Sequence, residues 1–280
     1  MSKITATLMG GLGNQLFQIF AVMAYAIRNG MEFTFQDCEE LKIGHVRKTY
    51  WETFLKGMKP FLSPRASLKG QTWGGAYAYN EPRFEYTPLP VFNADVILTG
   101  YFQSLHYFQD EFDIIMDILE IPEQIKAIKS RFPDIFKGKG PLVSMHFRIG
   151  DYKAVQDCHP IVPYEYYRQA LGAQGTSTNV LYFNEEQDEQ ECQVIINRLK
   201  TEFPDVTFIH APPLTEDWEQ MLLMACCDVN IIANSTFSWW GAVLSKSKSV
   251  YYPVNWFGPK LKATHNIKDL IISTWRGISF

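Results

Sequence analysis

One arginine stands where a phosphate-binding residue is expected. Arg148 ends the stretch VSMHFR, and Gly150 and Asp151 follow it closely. An arginine that leaves the carboxyl end of a strand beside a glycine can present its planar guanidinium to phosphate oxygens through charge-assisted, bidentate hydrogen bonds. The alternative is an ordinary ion pair between Arg148 and Asp151 at the protein surface. The spacing alone leaves both interpretations open.

A hydroxyl-rich segment, NSTFS at residues 234 to 238, follows the apolar run DVNIIA. Asn, Ser and Thr are favoured helix N-caps, and the amides at a helix start form an anion site. Three hydroxyls and an amide within five residues exceed what capping requires. We therefore predict phosphate or sugar contacts for this segment, which comprises Asn234, Ser235, Thr236, Phe237 and Ser238. The two residues that follow, Trp239 and Trp240, are interpreted as packing groups.

A glycine-rich turn, GGLGNQ at residues 10 to 15, joins the first apolar run to the first helical pattern. Glycines allow a backbone to approach a ligand closely, and the two amide side chains add hydrogen-bonding groups. The predicted ligand contacts are Gly11, Gly13, Asn14 and Gln15. The turn lacks the third glycine of a dinucleotide fingerprint, since Leu16 occupies that position, and it lacks the GK[ST] of a P-loop. A nucleotide-binding oxidoreductase is therefore disfavoured.

The elements that position these residues alternate regularly in the second half of the chain. Short apolar runs rich in β-branched and aromatic residues are LVSMHF, NVLYF, DVTFI, DVNIIA and SVYYP. Helix-length segments separate them: PYEYYRQAL, EQDEQECQVIINRLKTEF, PLTEDWEQMLLMAC and FSWWGAVLSK. Strands buried on both faces and separated by helices indicate a doubly wound parallel sheet, which binds ligands beyond the carboxyl ends of its strands.

The first half is less regular. ITATL, EFTFQ and DVILTG are predicted strands, and helices are predicted at residues 14–29 and about 105–119. Residues 37–94 show no clear period and receive no assignment. The segment FPDIFKGKGP, residues 132–141, has the composition of a linker. We therefore predict two unequal α/β domains, 1–139 and 140–280, with the last helix packing back on the first domain.

Composition excludes several classes of function. The charged fraction of 20% and the formal net charge of −4 lack the basic excess of nucleic-acid binding. No apolar run approaches the roughly 18 residues of a membrane span, and no signal peptide is recognisable. The five cysteines show no CxxC spacing, which favours reduced thiols over disulfides or zinc. A cytoplasmic protein is predicted, with a peripheral position at a membrane as the alternative if the acceptor is built there.

Two further patterns bear on the chemistry. The chain has no Asp-x-Asp after an apolar strand, the usual holder of a divalent ion against a sugar diphosphate. A bound diphosphate would then be neutralised by Arg148 and the helix start near Ser235. The acidic run from Glu185 to Glu191 opens a helix, where the dipole favours carboxylates, so we interpret it as a solvated helix start rather than a glycosidase pair.

In their order along the chain, these segments resemble the α-1,2-fucosyltransferases of glycosyltransferase family 11. The matching pieces are GGLGNQLFQIF near the start, GYFQSLHYF at 100–108, VSMHFRIGDY at 143–152 and IIANSTFSWWGAVL at 231–244, followed by YYPVNWF. The resemblance implies a GT-B-like fold, in which two Rossmann-like domains face a cleft, with the acceptor on the first domain and the nucleotide sugar on the second. It also implies GDP-fucose as donor, no metal or other cofactor, inversion at the anomeric carbon, and a glycan acceptor that ends in galactose.

The resemblance also implies roles for individual residues. By the match to the family's HxRRxD motif, Arg148 binds the donor phosphates and His146 lies near them or near the guanine. Asp151 either accepts the acceptor's proton or orients Arg148. The chain departs from the family pattern at Ile149, where the motif has a second arginine, and in YFNEE, where Asn184 or Glu185 replaces an aspartate that reads the base.

Two alternatives to this function remain at this point. A transferase that uses another sugar nucleotide is the nearest, and Ile149 is the residue that favours it. A non-enzymatic nucleotide-binding or carbohydrate-binding protein would explain the aromatic content of 15%. It would leave unexplained an arginine beside a hydroxyl-rich helix start.

Overall fold

The chain divides into two compact units. A computed structural model describes residues 1–64, 75–138, 140–174, 179–212, 216–245, 247 and 249–280. The first unit comprises Met1–Pro122 and Thr264–Ile272, and the second comprises Glu123–Ala263 and Ser273–Phe280. The predicted boundary at residue 139 lies outside the described residues, and the linker-like residues 132–138 belong to the second unit. Residues 264–272, with a short 3₁₀ helix at Ile267–Asp269, belong to the first.

The first unit contains a four-stranded parallel sheet and two helices. Its strands are β1 (Lys3–Ala6), β2 (Glu32–Phe33), β3 (Phe35–Gln36), β4 (Glu40–Leu41), β5 (Arg47–Lys48), β6 (Leu62–Ser63), β7 (Tyr77–Asn80) and β8 (Val96–Thr99). Its helices are α1 (Leu12–Asn29) and α2 (Phe112–Ile118). The sheet has the order β2-β1-β8-β7, and two small two-stranded sheets join β3 to β6 and β4 to β5.

Two sequence predictions in this unit are wrong in detail. EFTFQ does not form one strand, because β2 pairs with β1 whereas β3 pairs with β6. Thr34 separates the two, and its hydroxyl donates a hydrogen bond of 2.8 Å to the carbonyl of Phe61. The helix expected over residues 105–119 is instead a 3₁₀ turn at Leu105–Tyr107 and the separate helix α2.

The second unit contains a six-stranded parallel sheet between helices. Its helices are α3 (Ile121–Arg131), whose first two residues belong to the first unit, α4 (Tyr164–Gly172), α5 (Glu189–Glu202), α6 (Asp217–Ala225), α7 (Thr236–Leu244) and α8 (Pro259–Lys262). Its strands are β9 (Leu142–His146), β10 (Asn179–Phe183), β11 (Thr207–His210), β12 (Val229–Ile231), β13 (Ser249–Pro253) and β14 (Arg276–Ile278). The strand order is β11-β10-β9-β12-β13-β14, and every pair is parallel.

This order confirms the doubly wound parallel sheet. In chain order within the unit it reads 3-2-1-4-5-6, and the direction of winding reverses between β9 and β12. Ligands of such sheets bind beyond the carboxyl ends of the strands at that switch point. The five predicted strands of this half are all present, and β14 is a sixth that the sequence did not reveal. The predicted helix from residue 213 begins at Asp217, and residues 213–215 lie outside the described part of the chain.

Buried side chains hold the strands and helices that surround the switch point. Val143 and Met145 of β9 and Tyr167 of α4 belong to one buried apolar cluster on one face of the sheet. Trp239 and Trp240 of α7 are fully buried with their ring centroids 5.2 Å apart, which confirms that they are packing groups. In the described residues, no helix has the length and apolar character that a membrane crossing requires.

Candidate functional site

Strand register brings the predicted segments of the second unit to the same edge of the sheet. Met145 of β9 pairs with Ile231 of β12, so Arg148 and Asn234 each lie three residues beyond that pair. On the other side, His146 pairs with Phe183 of β10. Arg148 and Glu185 each lie two residues beyond that second pair. Arg148 therefore leaves the sheet at its switch point, flanked by the segments that follow β10 and β12.

The guanidinium of Arg148 lies between two carboxylates and a tyrosine ring. Its Nη1 donates to Glu185 Oε1, and its Nη2 donates to Asp151 Oδ1 at 2.7 Å. Its Cζ lies 5.4 Å from the ring centroid of Tyr152. The side chain keeps 21% of its surface exposed. A guanidinium has five N–H donors, so two contacts with carboxylates leave donors for phosphate oxygens.

The ion pair between Arg148 and Asp151, which the sequence analysis left open as the alternative, is therefore present. Asp151, whose side chain is 51% exposed, makes the contact that an orienting role requires. Its role as a proton acceptor stays a prediction, as does the role of Arg148 in binding phosphate.

Asp188 is a residue of the candidate site that the sequence analysis missed. It is 1% exposed and accepts hydrogen bonds from the backbone N–H of Gly150 at 2.6 Å and from Lys153 Nζ at 3.4 Å. The interpretation of the acidic run as a solvated helix start is therefore wrong for this residue. Acidic residues are common in first helical turns, and nothing in their spacing showed that one of them turns inward to the loop after β9. With Asp151 and Gln187, these residues line an open groove.

His146 is buried at the end of β9. Burial, reinforced by the positive charge of Arg148, lowers the pKa of His146 to about 3, so its ring is neutral near pH 7. The ring centroid lies 5.6 Å from that of Phe237 in the first turn of α7. Its Nδ1 is buried and accepts or donates no hydrogen bond within the described residues. A neutral, buried imidazole suits contact with a ligand better than proton abstraction.

The start of α7 combines a helix cap with a strongly anchored loop. Ser235 is the N-cap, and its hydroxyl accepts a hydrogen bond from the backbone N–H of Phe237 at 3.3 Å. Ser238 is buried, with its hydroxyl near the carbonyls of Ala233 and Ser235 at 3.5 and 3.4 Å. Asn234 is also buried, and its Nδ2 donates to two backbone carbonyls. These side chains hold the loop, so the backbone amides of the first turn are the groups suited to an anion.

The remaining predicted residue of this unit, Asn184, lies directly after β10. Its Nδ2 donates to the carbonyl of Glu185 and to Glu189 Oε2, each at 3.0 Å. Its Oδ1 is buried and has no hydrogen-bond partner among the described residues. Glu185 is bound to Arg148 and accepts from Gln187 at 2.7 Å. Base recognition by either residue stays a prediction.

The glycine-rich segment lies in the first unit, whereas Arg148 lies in the second. Gly11 is the N-cap of α1, and Gly13 and Asn14 lie in its first turn. Asn14 Oδ1 accepts from Gln103 at 2.9 Å. The amide of Gln15 donates to the carbonyls of Gly10 and Lys48, both at 3.0 Å. Gln15 therefore fastens the turn to the chain near β5, and ligand contacts of this segment stay predictions.

No group of three or more His, Cys, Asp or Glu side chains suited to a metal ion occurs in the described part of the chain. None of the five cysteines forms a disulfide.

Comparison with known proteins supplies the family. The model of glycosyl transferase family 11 matches residues 77–279, which is more than half of the chain. The chain belongs to glycosyl transferase family 11. The match contains the strand β9 and the segments around Arg148 and Ser235, so the residues at the switch point lie within the family's own region. The resemblance stated from the sequence is confirmed.

Two bacterial glycosyltransferases are similar in sequence. The O-antigen biosynthesis glycosyltransferase WbnK of Escherichia coli is 28% identical over 194 residues, which cover 64% of this chain and 59% of WbnK. An α-1,2-colitosyltransferase of Escherichia coli is 25% identical over 263 residues, which cover 87% of this chain and 88% of that protein. The first alignment thus spans less than two thirds of WbnK, whereas the second spans most of the α-1,2-colitosyltransferase.

A solved structure shares the fold. Arabidopsis thaliana FUT1, as a mutant in complex with GDP, superimposes with a TM-score of 0.55 at 12% identity, covering 97% of this chain and 75% of that one. Such a low identity supports the fold alone. With the strand order of the second unit, it confirms the GT-B-like, Rossmann-type fold.

Proposed function

We propose that this glycosyltransferase transfers L-fucose from GDP-fucose to a galactose hydroxyl of a glycan. The proposal includes inversion at the anomeric carbon, an α-1,2 linkage and no metal. The observation that carries it is the placement of Arg148 and the start of α7 beyond the carboxyl ends of adjacent strands, β9 and β12, in a chain of glycosyl transferase family 11. The cationic guanidinium and the helix amides are together suited to a diphosphate.

The mechanism follows from where charge develops. An acceptor hydroxyl attacks C1 of the sugar in line with the departing diphosphate and gives up its proton to a base, for which Asp151 is the candidate. The sugar gains oxocarbenium character as the bond to the diphosphate breaks. As the C1–O bond breaks, negative charge grows on the β-phosphate. Arg148 and the amides of the first turn of α7 then bind the transition state more tightly than the ground state, which lowers the barrier. The carboxylates of Glu185 and Asp151 hold the guanidinium in place, so little reorganisation accompanies the reaction.

The absence of disulfides supports a cytoplasmic location as part of the same proposal. None of the five cysteines forms a disulfide, as in proteins of reducing compartments.

A second donor follows from two observations. One relative that aligns with 87% of this chain is an α-1,2-colitosyltransferase. Ile149, at the position of the family's second arginine, is 5% exposed and packs in the apolar cluster of the second unit. Isoleucine carries no charge, so the second cation of the family motif is missing here. We therefore propose colitose, linked to GDP, as a second candidate for the transferred sugar.

One ligand panel tests both proposals. We expect GDP and GDP-fucose to raise the melting temperature of the protein, because a ligand that binds only the folded state stabilises it by mass action. UDP and NAD serve as matched negative ligands, and GDP-mannose and GDP-colitose test the sugar. Transfer to a galactoside, followed by linkage analysis of the product, tests the reaction. Stabilisation by UDP or NAD in preference to GDP would contradict the proposed donor.

A further inference from the structure

Tyr152 links the two elements that the proposed diphosphate site requires. It lies in the 3₁₀ turn Gly150–Ala154 that follows Arg148. Its ring lies against the guanidinium of Arg148, and its hydroxyl donates a hydrogen bond of 2.9 Å to the backbone carbonyl of Asn234. Asn234 immediately precedes Ser235, the N-cap of α7. One side chain therefore contacts both the cation and the segment that leads into the helix start.

Asn234, which accepts from Tyr152, also donates two hydrogen bonds of its own. The Nδ2 of Asn234 donates to the carbonyl of Pro160 at 2.9 Å and to that of Trp256 at 3.0 Å. The ring of His159, the neighbour of Pro160, stacks on Tyr152 with a centroid distance of 5.0 Å and an interplanar angle of 26°. Tyr152 and Asn234 thus hold the same loop from two sides, and the position of the α7 start is fixed relative to Arg148.

The hydroxyl keeps its proton over the working range of pH. Burial raises the pKa of Tyr152 to about 12, with the nearby Arg148 opposing the shift. A phenol that stays neutral donates to the Asn234 carbonyl throughout, and its ring is available for a cation–π contact that holds the guanidinium without neutralising it. This differs from Glu185 and Asp151, whose negative charges repel an incoming phosphate.

We propose that Tyr152 is a positioning residue that sets the spacing between the Arg148 guanidinium and the amides at the start of α7, so that both engage one nucleoside diphosphate. This inference rests on the proposed function. A nucleoside monophosphate has a single phosphate and needs only one of the two elements, whereas a diphosphate needs both at the correct separation. The ratio of GDP to GMP affinity therefore reports the spacing itself.

The test is the substitution Tyr152→Phe, which keeps the ring and removes the hydroxyl. We expect GDP affinity to fall about 3- to 10-fold, the effect of one hydrogen bond, and GMP affinity to change less than about twofold. Calorimetric titration of both nucleotides measures this, and the melting temperature verifies the fold. Tyr164→Phe is the matched control, since it also removes one tyrosine hydrogen bond in the same unit, the one to Glu202 at 2.6 Å, and should leave both affinities unchanged.

The outcomes separate the two proposals. Equal losses for GDP and GMP would show a merely structural role for Tyr152, and unchanged affinities would show that its hydroxyl positions nothing. Either result overturns the inference and leaves the proposed function standing. If the folded wild-type protein binds no GDP, the proposed function fails, and this inference fails with it.

Discussion

Arg148 is held by charge on two sides and by a π-face on a third. Glu185 and Asp151 accept from its two terminal nitrogens, and Tyr152 lies against it. A planar fork with these fixed partners is oriented before any ligand arrives, so in the proposed reaction it would act through its shape as well as its charge. A lysine at this position would keep the charge but lose the fork.

Substitution of Arg148 tests this reasoning. We expect Arg148→Ala to lower turnover about 10²- to 10³-fold, roughly 3 to 4 kcal/mol of transition-state stabilisation, and Arg148→Lys to give an intermediate loss. Steady-state kinetics with saturating donor measure both. Arg168→Ala is the control, because Arg168 also pairs with two carboxylates, Glu165 and Glu202, at the surface of the same unit. Near-normal turnover of folded Arg148→Ala would contradict the assignment.

Glu81 is the carboxylate with the most unusual environment in the first unit. It follows β7, and its Oε2 accepts from the backbone N–H groups of Tyr101 at 2.8 Å and Phe102 at 3.0 Å. Phe102 has a φ of 53°, in the left-handed region that a non-glycine residue rarely occupies. Burial raises the pKa of Glu81 to about 7, and the hydrogen bonds oppose that shift only in part.

This environment makes stability depend on pH. Because the folded-state pKa lies above the ordinary 4.5, Glu81 contributes stability that is present below about pH 4.5 and is lost as the pH rises through about 7. The difference between 4.5 and about 7 corresponds to a change of about 3 kcal/mol in the free energy of unfolding. Glu81→Gln mimics the protonated form, so we expect it to melt above the wild type at pH 8 and near it at pH 5.

Thermal unfolding at both pH values measures the effect. Glu40→Gln, at an exposed carboxylate of β4 in the same unit, should leave the difference between the two pH values unchanged. A lower melting temperature of Glu81→Gln at pH 8 would mean that the ionised carboxylate stabilises the turn, contrary to our expectation.

At the scale of elements, α6 and α7 pack closely enough that a glycine is needed between them. A Cβ atom at Gly241 of α7 would lie 2.8 Å from Met224 Cβ and 3.4 Å from the Met221 carbonyl oxygen of α6. The first distance is shorter than van der Waals contact allows, so the helices would have to separate. The position of α7 sets the position of its first turn, and the packing therefore extends to the candidate site.

We expect Gly241→Ala to lower the free energy of unfolding by about 1 to 3 kcal/mol through overpacking. Thermal or urea unfolding measures the loss. Gly172→Ala is the matched control, because a Cβ at Gly172 in α4 would meet only Phe203 at 3.7 Å, an ordinary contact. That change should be neutral or stabilising by about 0.4 to 1 kcal/mol, since alanine restricts the unfolded chain. Equal stability of the two variants would refute the packing argument.

Some strands could be predicted from the sequence and others could not. The strands β9, β10 and β13 are buried on both faces, so their apolar runs mark their ends closely. The strands β2 to β6 have two residues each, too few for any periodicity to appear, and residues 37–94 accordingly gave no assignment. The edge strand β7 reads YAYN and is mostly exposed, so it also lacks the apolar run of a buried strand.

At the scale of the whole molecule, the sequence could locate the candidate site because sheet topology does most of the positioning. Arg148 and Ser235 are 87 residues apart in the chain, and only the pairing of β9 with β12 brings their segments together. The apolar runs of these strands predicted that they lie in one parallel sheet. The inward turn of Asp188 and the bridging hydroxyl of Tyr152 depend on side-chain directions in loops, which no periodicity encodes.

The order of synthesis sets a constraint on how the two units are completed. The chain leaves the second unit after Ala263, supplies residues 264–272 to the first, and returns with β14, which pairs with β13. The ribosome therefore delivers the final segment of the first unit before the sixth strand of the second. During translation the outer edge of β13 lacks its partner strand, so the nascent chain carries an unpaired sheet edge until residues 276–278 have emerged.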